Sequence, residues 1–241
     1  MNSYKGNQTV NKAFMVIDAI SDGHRQLKDI CDELGLPKTT VHRLLHGLTE
    51  ARYVREVKGI GFVLGTKMIQ LGNRAQQDMP IKEIARPILR ELCDLTEETV
   101  HLGIMDEDQV FYIDKFQGQR PIQLRSQIGD RLPLAATGIG KALMLDMPKT
   151  EWQRILKKQV PANQDNMLER LEKYKQFGYC FDLEDNEDLV HCVAVPIRNR
   201  YNNIIAALSV TSVKSYLPKE RMKRLAPIVK DFSDKITKSL G

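Results

Sequence analysis

The sequence predicts an α+β protein: an N-terminal winged helix-turn-helix domain, a linker helix, and a C-terminal domain built on antiparallel sheet. Three observations predict it. Apolar residues recur at helical spacing through residues 10–48, broken at Gly23 and Gly35. A short two-stranded pattern closes that region at residues 53–64. Beyond Thr99 the apolar period falls from 3.6 to two, in two hairpins separated by helical stretches.

The first helix spans residues 10–21, where Val10, Phe14, Ile17 and Ala19-Ile20 share a face and Asp22-Gly23 ends the run. The second, LKDICDEL, puts Leu27, Ile30, Cys31 and Leu34 on its apolar side. Gly35 then permits a tight turn, and Pro37 has the fixed φ suited to a first helical turn. In the third helix, within KTTVHRLLHGLTEARY, the buried stripe is Val41, Leu44, Leu45 and Leu48. Residues 27–46 thus fit a helix-turn-helix, with Ile30, Leu34, Leu36, Val41 and Leu44 where the helices meet. Lys38, Thr39, Thr40, His42, Arg43 and His46 are left outward, and hydroxyls and a guanidinium near a helix start suit phosphates and base edges. An ordinary three-helix bundle with polar decoration is the competing reading. The ribbon YVREVKGIGFVLG weighs against it: Tyr53-Val54 leads in, Lys58-Gly59 turns and Phe62-Val63-Leu64 returns. Such a wing places Arg55 and Lys58 against the phosphate backbone. Double-stranded DNA is therefore the expected partner.

Residues 66 to about 79 carry little Gly or Pro and predict a connecting helix. Ile81, Ile84, Ala85, Ile88, Leu89 and Leu92 continue at helical period, as a helix that packs on the segment after it. The expected boundaries are 7–66 for the winged domain, 67–79 for the linker and 80–241 for the rest. TVHLGIM and QVFYIDKF flank DED as a hairpin with Val100, Leu102 and Ile104 on one face. HCVAVPI and IIAALSVTSV flank RNRYNN as another. Helices are expected at about 139–145, 150–158 and 164–177, the last stopped by Gly178.

Composition bounds the function. At 241 residues, 42% hydrophobic and 28% charged, the chain matches an ordinary globular protein of one large or two small domains. No apolar run approaches the roughly 18 residues of a membrane span, and the N-terminus lacks a basic-then-apolar leader, so a cytoplasmic protein away from membranes is expected. The net charge of +5 says little, but residues 38–55 hold four Lys and Arg against one acid, Glu50. Cys31, Cys93, Cys180 and Cys192 form no C-x-x-C pair, which argues against a zinc ribbon or a disulfide framework. They are expected as small buried hydrophobes.

The segment LPLAATGIGKALM invites a phosphate-loop reading. A P-loop requires glycine five residues before the Gly-Lys and Ser or Thr after it; here these are Ala135 and Ala142. What remains is a loop entering a helix, where Gly138 and Gly140 leave amides bare for a single carboxylate. The late hairpin supports this. Paired about 199–202, it sets Cys192 opposite Ser209 and Ala194 opposite Ala207. One face then carries Cys192, Ala194, Ala207, Ser209 and Thr211, small and lightly polar, with room for a ligand. Val193, Val195, Ile197, Ala206, Leu208 and Val210 make the other face core.

Three separated stretches, GLPKTTVHRLLHGLTEARYV, RLPLAATGIGKALM, and HCVAVPI with IIAALSV after it, resemble the successive signatures of IclR-family transcriptional regulators. The resemblance covers residues 9–240. ETVHLGIMDEDQVFYIDK looks closest to the KdgR-like branch, concerned with 2-keto-3-deoxygluconate and related sugar acids. The resemblance implies a winged-helix domain, a linker helix and a GAF-like effector-binding domain that senses a small keto- or sugar acid. It implies a homodimer or dimer of dimers on operator DNA, a repressor of a catabolic operon, and no cofactor. Gly138 and Ile139 match the loop whose amides hold an effector carboxylate. Asp182, Cys192, Ser209 and Thr211 match polar pocket positions, and Leu124, Leu132 and Val190 match apolar walls. Ile139 stands where small residues are common, and Thr211 where Ser is common.

Other classes fare worse. His191 beside Cys192, with Asp182 upstream, mimics a catalytic set, yet neighbours on a strand point to opposite faces. No catalytic residue is expected, and His101, His191 and the cysteines lack metal-ligand spacing. An architectural DNA protein has no need of a large domain with a small polar pocket.

Overall fold

The computed structural model of the chain describes residues 7–240. Met1–Gly6, part of the segment read for a leader, and Gly241, the end of the expected third span, lie outside the described residues. The chain divides after Met79 into two compact units.

The first unit contains α1 (Gln8–Ser21), α2 (Leu27–Leu34), α3 (Lys38–Glu50), β1 (Val54–Val57), β2 (Gly61–Leu64) and α4 (Thr66–Gln77). The Asn7 side chain accepts from the Thr9 N–H at 3.0 Å, so α1 begins two residues before its apolar pattern. Val16, Ala19, Ile20, Ile30, Val41, Leu44, Leu45 and Val54 form the core. Val10 and Phe14, expected on the inner face of α1, are instead 47% exposed, because α1 reaches the core through its C-terminal half. Gly35 ends α2 at φ +62°, a left-handed cap that glycine adopts without steric cost. Pro37 stands one place ahead of α3, its carbonyl accepting from Thr40 and Val41 at 2.9 and 3.1 Å. β1 and β2 pair antiparallel with Arg55 opposite Val63. The Phe62 N–H donates to the Arg25 carbonyl at 2.7 Å and Gln26 Nε2 to the Ile60 carbonyl at 3.1 Å, tying this ribbon to the start of α2.

The second unit holds α5 (Pro80–Thr96), β3 (Thr99–Asp106), β4 (Gln109–Phe116), β5 (Arg131–Pro133), α6 (Gly138–Leu143), α7 (Lys149–Gln159), a 3-10 turn at Pro161–Asn163, α8 (Gln164–Phe177), β6 (Cys180–Leu183), β7 (Val190–Arg198), β8 (Ile204–Val213) and α9 (Lys219–Ser239). Its six strands lie in the order β5-β4-β3-β8-β7-β6, all neighbours antiparallel. The sheet is covered on both faces: α5 and α9 pack on one, and α6, backed by α7 and α8, on the other. Trp152 Nε1 donates to the Met144 carbonyl at 2.7 Å, pinning α7 to the end of α6.

The late hairpin corrects the expected register by two places. Cys192 pairs with Thr211, Ala194 with Ser209 and Pro196 with Ala207. The turn is wider than supposed: the Asn199 N–H donates to the Asn203 carbonyl at 3.0 Å, the Asn199 side chain accepts from the N–H groups of Tyr201 and Asn203, and an irregularity comes after Ile197. A two-residue shift leaves every side chain on its face, because the pleat repeats every two residues.

Candidate functional site

In the first unit, Lys38, Thr39, His42, Arg43 and His46 are exposed on α3 and Thr40 is half-buried, while Val41, Leu44 and Leu45 face the core. His46 Nδ1 lies 3.6 Å from a Glu50 carboxylate oxygen. Arg55 and Lys58 are exposed on the ribbon and its turn. One helix face and one hairpin thus present cations and short hydroxyls to solvent, an arrangement suited to a polyanion.

In the second unit, a cavity of about 230 Å³ opens between the sheet and the start of α6. The sheet supplies the polar residues His101, Tyr112, Asp182, Cys192 and Thr211, one each from β3, β4, β6, β7 and β8. Thr137, Gly138 and Ile139 form the α6 side. Leu124, Arg125, Ser126 and Asp130 reach in from the β4–β5 connection, Leu132 from β5, and Asn186, Glu187 and Val190 from the far side. Thr137 caps α6, its hydroxyl oxygen accepting from the Gly140 N–H at 3.0 Å. The N–H groups of Gly138 and Ile139 belong to the first turn, ahead of any intrahelical acceptor, and both residues border the cavity.

The small face of the β7–β8 hairpin has two uses. Ala194 and Ala207 are fully buried in the cluster under α6, so their size admits the helix rather than a ligand. Of the small residues on that face, Cys192 and Thr211 border the cavity. Ser209, expected among the lining residues, is a correction. It sits 1% exposed one step further along β8, its Oγ 3.2 Å from Thr211 Oγ1. The structure therefore gathers Leu124, Leu132, Gly138, Ile139, Asp182, Val190, Cys192 and Thr211 around one space, with Ser209 behind Thr211.

Lys141, the lysine of the Gly-Ile-Gly-Lys stretch, is fully buried and turned away from any phosphate role. Its Nζ donates to Asp185 Oδ2 at 2.6 Å and to the Ala136 carbonyl at 2.8 Å. Arg170 donates to both Asp185 oxygens at 2.7 Å. Burial opposes ionisation of Asp185, but hydrogen bonding to Arg170 and the charge of Lys141 outweigh it and hold the carboxyl below its usual range. Next to it, Asp182 Oδ1 accepts from the Asp185 N–H at 2.8 Å. Burial pushes the Asp182 carboxyl up, against the pull of Lys141 3.9 Å away. Burial, then Asp182, pushes the Cys192 thiol up to about 12, so it is a poor nucleophile at neutral pH. His191 turns to the Leu217 carbonyl, 2.8 Å from its Nδ1, on the face opposite Cys192. Among the described residues no three His, Cys, Asp or Glu side chains group as metal ligands.

His101, Tyr112, Arg125, Ser126, Asp130, Thr137, Asn186 and Glu187 border the cavity without having been expected there. A signal existed for one of them. With Val100, Leu102 and Ile104 assigned to one face of β3, His101 had to lie on the other. The loop residues carry no periodic signal.

Comparison with known proteins supports both units. A family model described as IclR helix-turn-helix domain matches residues 9–58, and one described as Bacterial transcriptional regulator IclR C-terminal matches residues 73–238. The chain is 31% identical over 245 residues to the HTH-type transcriptional regulator XynR of Escherichia coli K12, covering 97% of each. It is 29% identical over 243 residues to KdgR of the same organism, covering 97% of this chain and 92% of that one. An IclR homologue from Microbacterium hydrocarbonoxydans, solved in complex with 4-hydroxybenzoate, superposes with a TM-score of 0.86 over 97% of this chain and 99% of that one. At 18% identity that likeness speaks for the fold.

Proposed function

The chain belongs to the IclR family of bacterial transcriptional regulators, which bind DNA and are not enzymes, and on that premise we propose that it is a ligand-responsive repressor. The cavity beside α6 carries this reading. It is small, below the roughly 300–1,000 Å³ of drug-sized sites, and its polar groups converge from five strands and a helix start. The effector is a small keto- or hydroxy-acid of the sugar-acid kind. Its carboxylate rests on the amides of Gly138 and Ile139, and its remaining oxygens meet Thr211 and Asp182. Burial pushes the Asp182 carboxyl up, which lessens its repulsion of an anionic ligand.

The protein acts in the cytoplasm as a homodimer or dimer of dimers on a near-palindromic operator. Lys38, Thr39, Thr40, His42, Arg43 and His46 face the major groove, and Arg55 and Lys58 the backbone. The regulated genes serve catabolism of the acid sensed. A thermal-shift screen of small carboxylates tests the sensor, since a ligand that binds only the folded state raises its melting temperature. No shift with any keto-, hydroxy- or sugar acid at millimolar concentration contradicts it.

A further inference from the structure

His101 is a buried histidine, 2% exposed, on β3 between the fully buried Val100 and Leu102. Its ring borders the cavity and stacks on Tyr112 with centroids 4.9 Å apart. Nε2 lies 2.8 Å from the hydroxyl of Ser126, on the β4–β5 connection that forms one wall. Nδ1 is buried and meets no hydrogen-bond partner among the described residues. The groups facing the ring from neighbouring elements are Lys115 across β4, Ser209 across β8, Tyr112 and Ser126. A buried polar nitrogen left unpaired is costly, and a ligand oxygen relieves the cost.

We propose that His101 is a specificity-determining residue of the cavity: its Nδ1 pairs with an oxygen on the effector carbon skeleton, beyond the carboxylate, while Nε2 holds Ser126. This rests on the reading of the cavity as an acid sensor and adds which feature of the acid is recognised. Burial, reinforced by Lys115, lowers the imidazole pKa to about 3, so the ring is neutral at working pH. A neutral imidazole has one donor and one acceptor nitrogen, and its partners choose which is which. The Ser126 hydroxyl donates or accepts with equal ease. When it donates to Nε2, Nδ1–H donates a hydrogen bond to a keto oxygen; when it accepts from Nε2–H, Nδ1 accepts a hydrogen bond from a ligand hydroxyl. The His101–Ser126 pair therefore admits keto- and hydroxy-acids alike and rejects acids that carry only hydrogen at that carbon. Lys115 Nζ donates to the Leu124 and Ser126 carbonyls at 2.9 and 2.6 Å, which keeps Ser126 in place for this exchange.

The test is calorimetry on the full chain with pyruvate, D- and L-lactate and D-gluconate, each against its oxygen-poor counterpart, propionate or hexanoate. Wild type is expected to prefer the oxygenated acid by about tenfold or more, the scale of one buried hydrogen bond. His101→Phe keeps a ring against Tyr112 and removes both nitrogens. It should lose the preference, whereas a purely structural role would weaken oxygenated and oxygen-poor acids by the same factor and leave the preference intact. Nitrogen-15 NMR of wild-type imidazoles provides the second readout and needs no variant: saturation with the preferred acid should move the His101 Nδ1 resonance. A preference that survives in His101→Phe, or an Nδ1 resonance unmoved at saturation, overturns the proposal. Failure of wild type to bind any of these acids overturns the acid-sensor reading as well, so the two failures are distinguishable.

Discussion

A methyl group on Gly138 would stand 2.6 Å from Cys192 Sγ and 3.4 Å from the Ala194 Cβ. The first residue of α6 thus rests on β7 through a missing side chain, and the cavity lies beside this contact. Gly138→Ala is expected to destabilise the protein by about 1–3 kcal/mol through overpacking. Cys192→Ala in the same chain removes the offending sulfur and should restore most of the loss. Urea unfolding of the two single variants and the double variant checks this, and strictly additive effects would contradict the contact.

Lys141 and Asp185 form the buried pair behind the cavity, with Arg170 as the second cation. Lys141→Met leaves Asp185 with Arg170 alone and should cost about 3 kcal/mol, the lower end for breaking a buried pair. The Asp185 carboxyl is depressed in the folded state, so its contribution is complete above the ordinary carboxylate value of 3.8 and fades as pH falls below it. Denaturation tracked from pH 7 to pH 3 should show wild type losing stability at the acid end more steeply than Asp185→Asn. Parallel curves would show that the pair contributes nothing to this slope.

Much of this architecture was legible in the residues. Gly35 and Gly178 mark two helix ends because each takes a left-handed cap, and the period change at Thr99 marks the first sheet hairpin. The face assignment on β7 and β8 was legible too, since alternation is insensitive to a two-residue slip, whereas the register depended on an asparagine-rich turn with several closing geometries. β6 and α9 were not identified from their residues: β6 has only four, and α9 is interrupted by Pro227. Lys141 could be cleared of a P-loop role by its neighbours. Its actual partner is 44 residues away and left no local trace. The double use of the small hairpin face, half for α6 and half for the cavity, depends on where α6 lands, which strand periodicity does not encode.

On the DNA face, Arg43→Ala should weaken binding to the specific operator by about 1–3 kcal/mol and relax sequence preference. Lys58→Ala should weaken binding to all duplexes alike and lower the salt slope by about one. Fluorescence anisotropy across a salt series separates the two. A specific effect of Lys58→Ala, or a nonspecific one of Arg43→Ala, would reverse the assignment.

Thr211 borders the cavity and Ser209 stands behind it. Thr211→Val should therefore reduce effector affinity by about tenfold, the loss of one hydrogen bond, and Ser209→Ala by less. Calorimetry with the acid selected by the thermal screen gives the comparison. A larger loss for Ser209→Ala would show that the ligand lies deeper than the cavity places it.

The central claim is that occupancy of the cavity controls operator binding, and anisotropy of labelled operator DNA with wild type and Thr211→Val, with and without that acid, tests it most directly. Allosteric couplings of about 1–3 kcal/mol correspond to 5- to 150-fold changes in affinity. The account predicts a loss of operator affinity in that range for wild type at saturating acid, and a titration midpoint displaced to higher acid concentration for Thr211→Val. Operator affinity unchanged in wild type at an acid concentration that calorimetry shows to be saturating would contradict it.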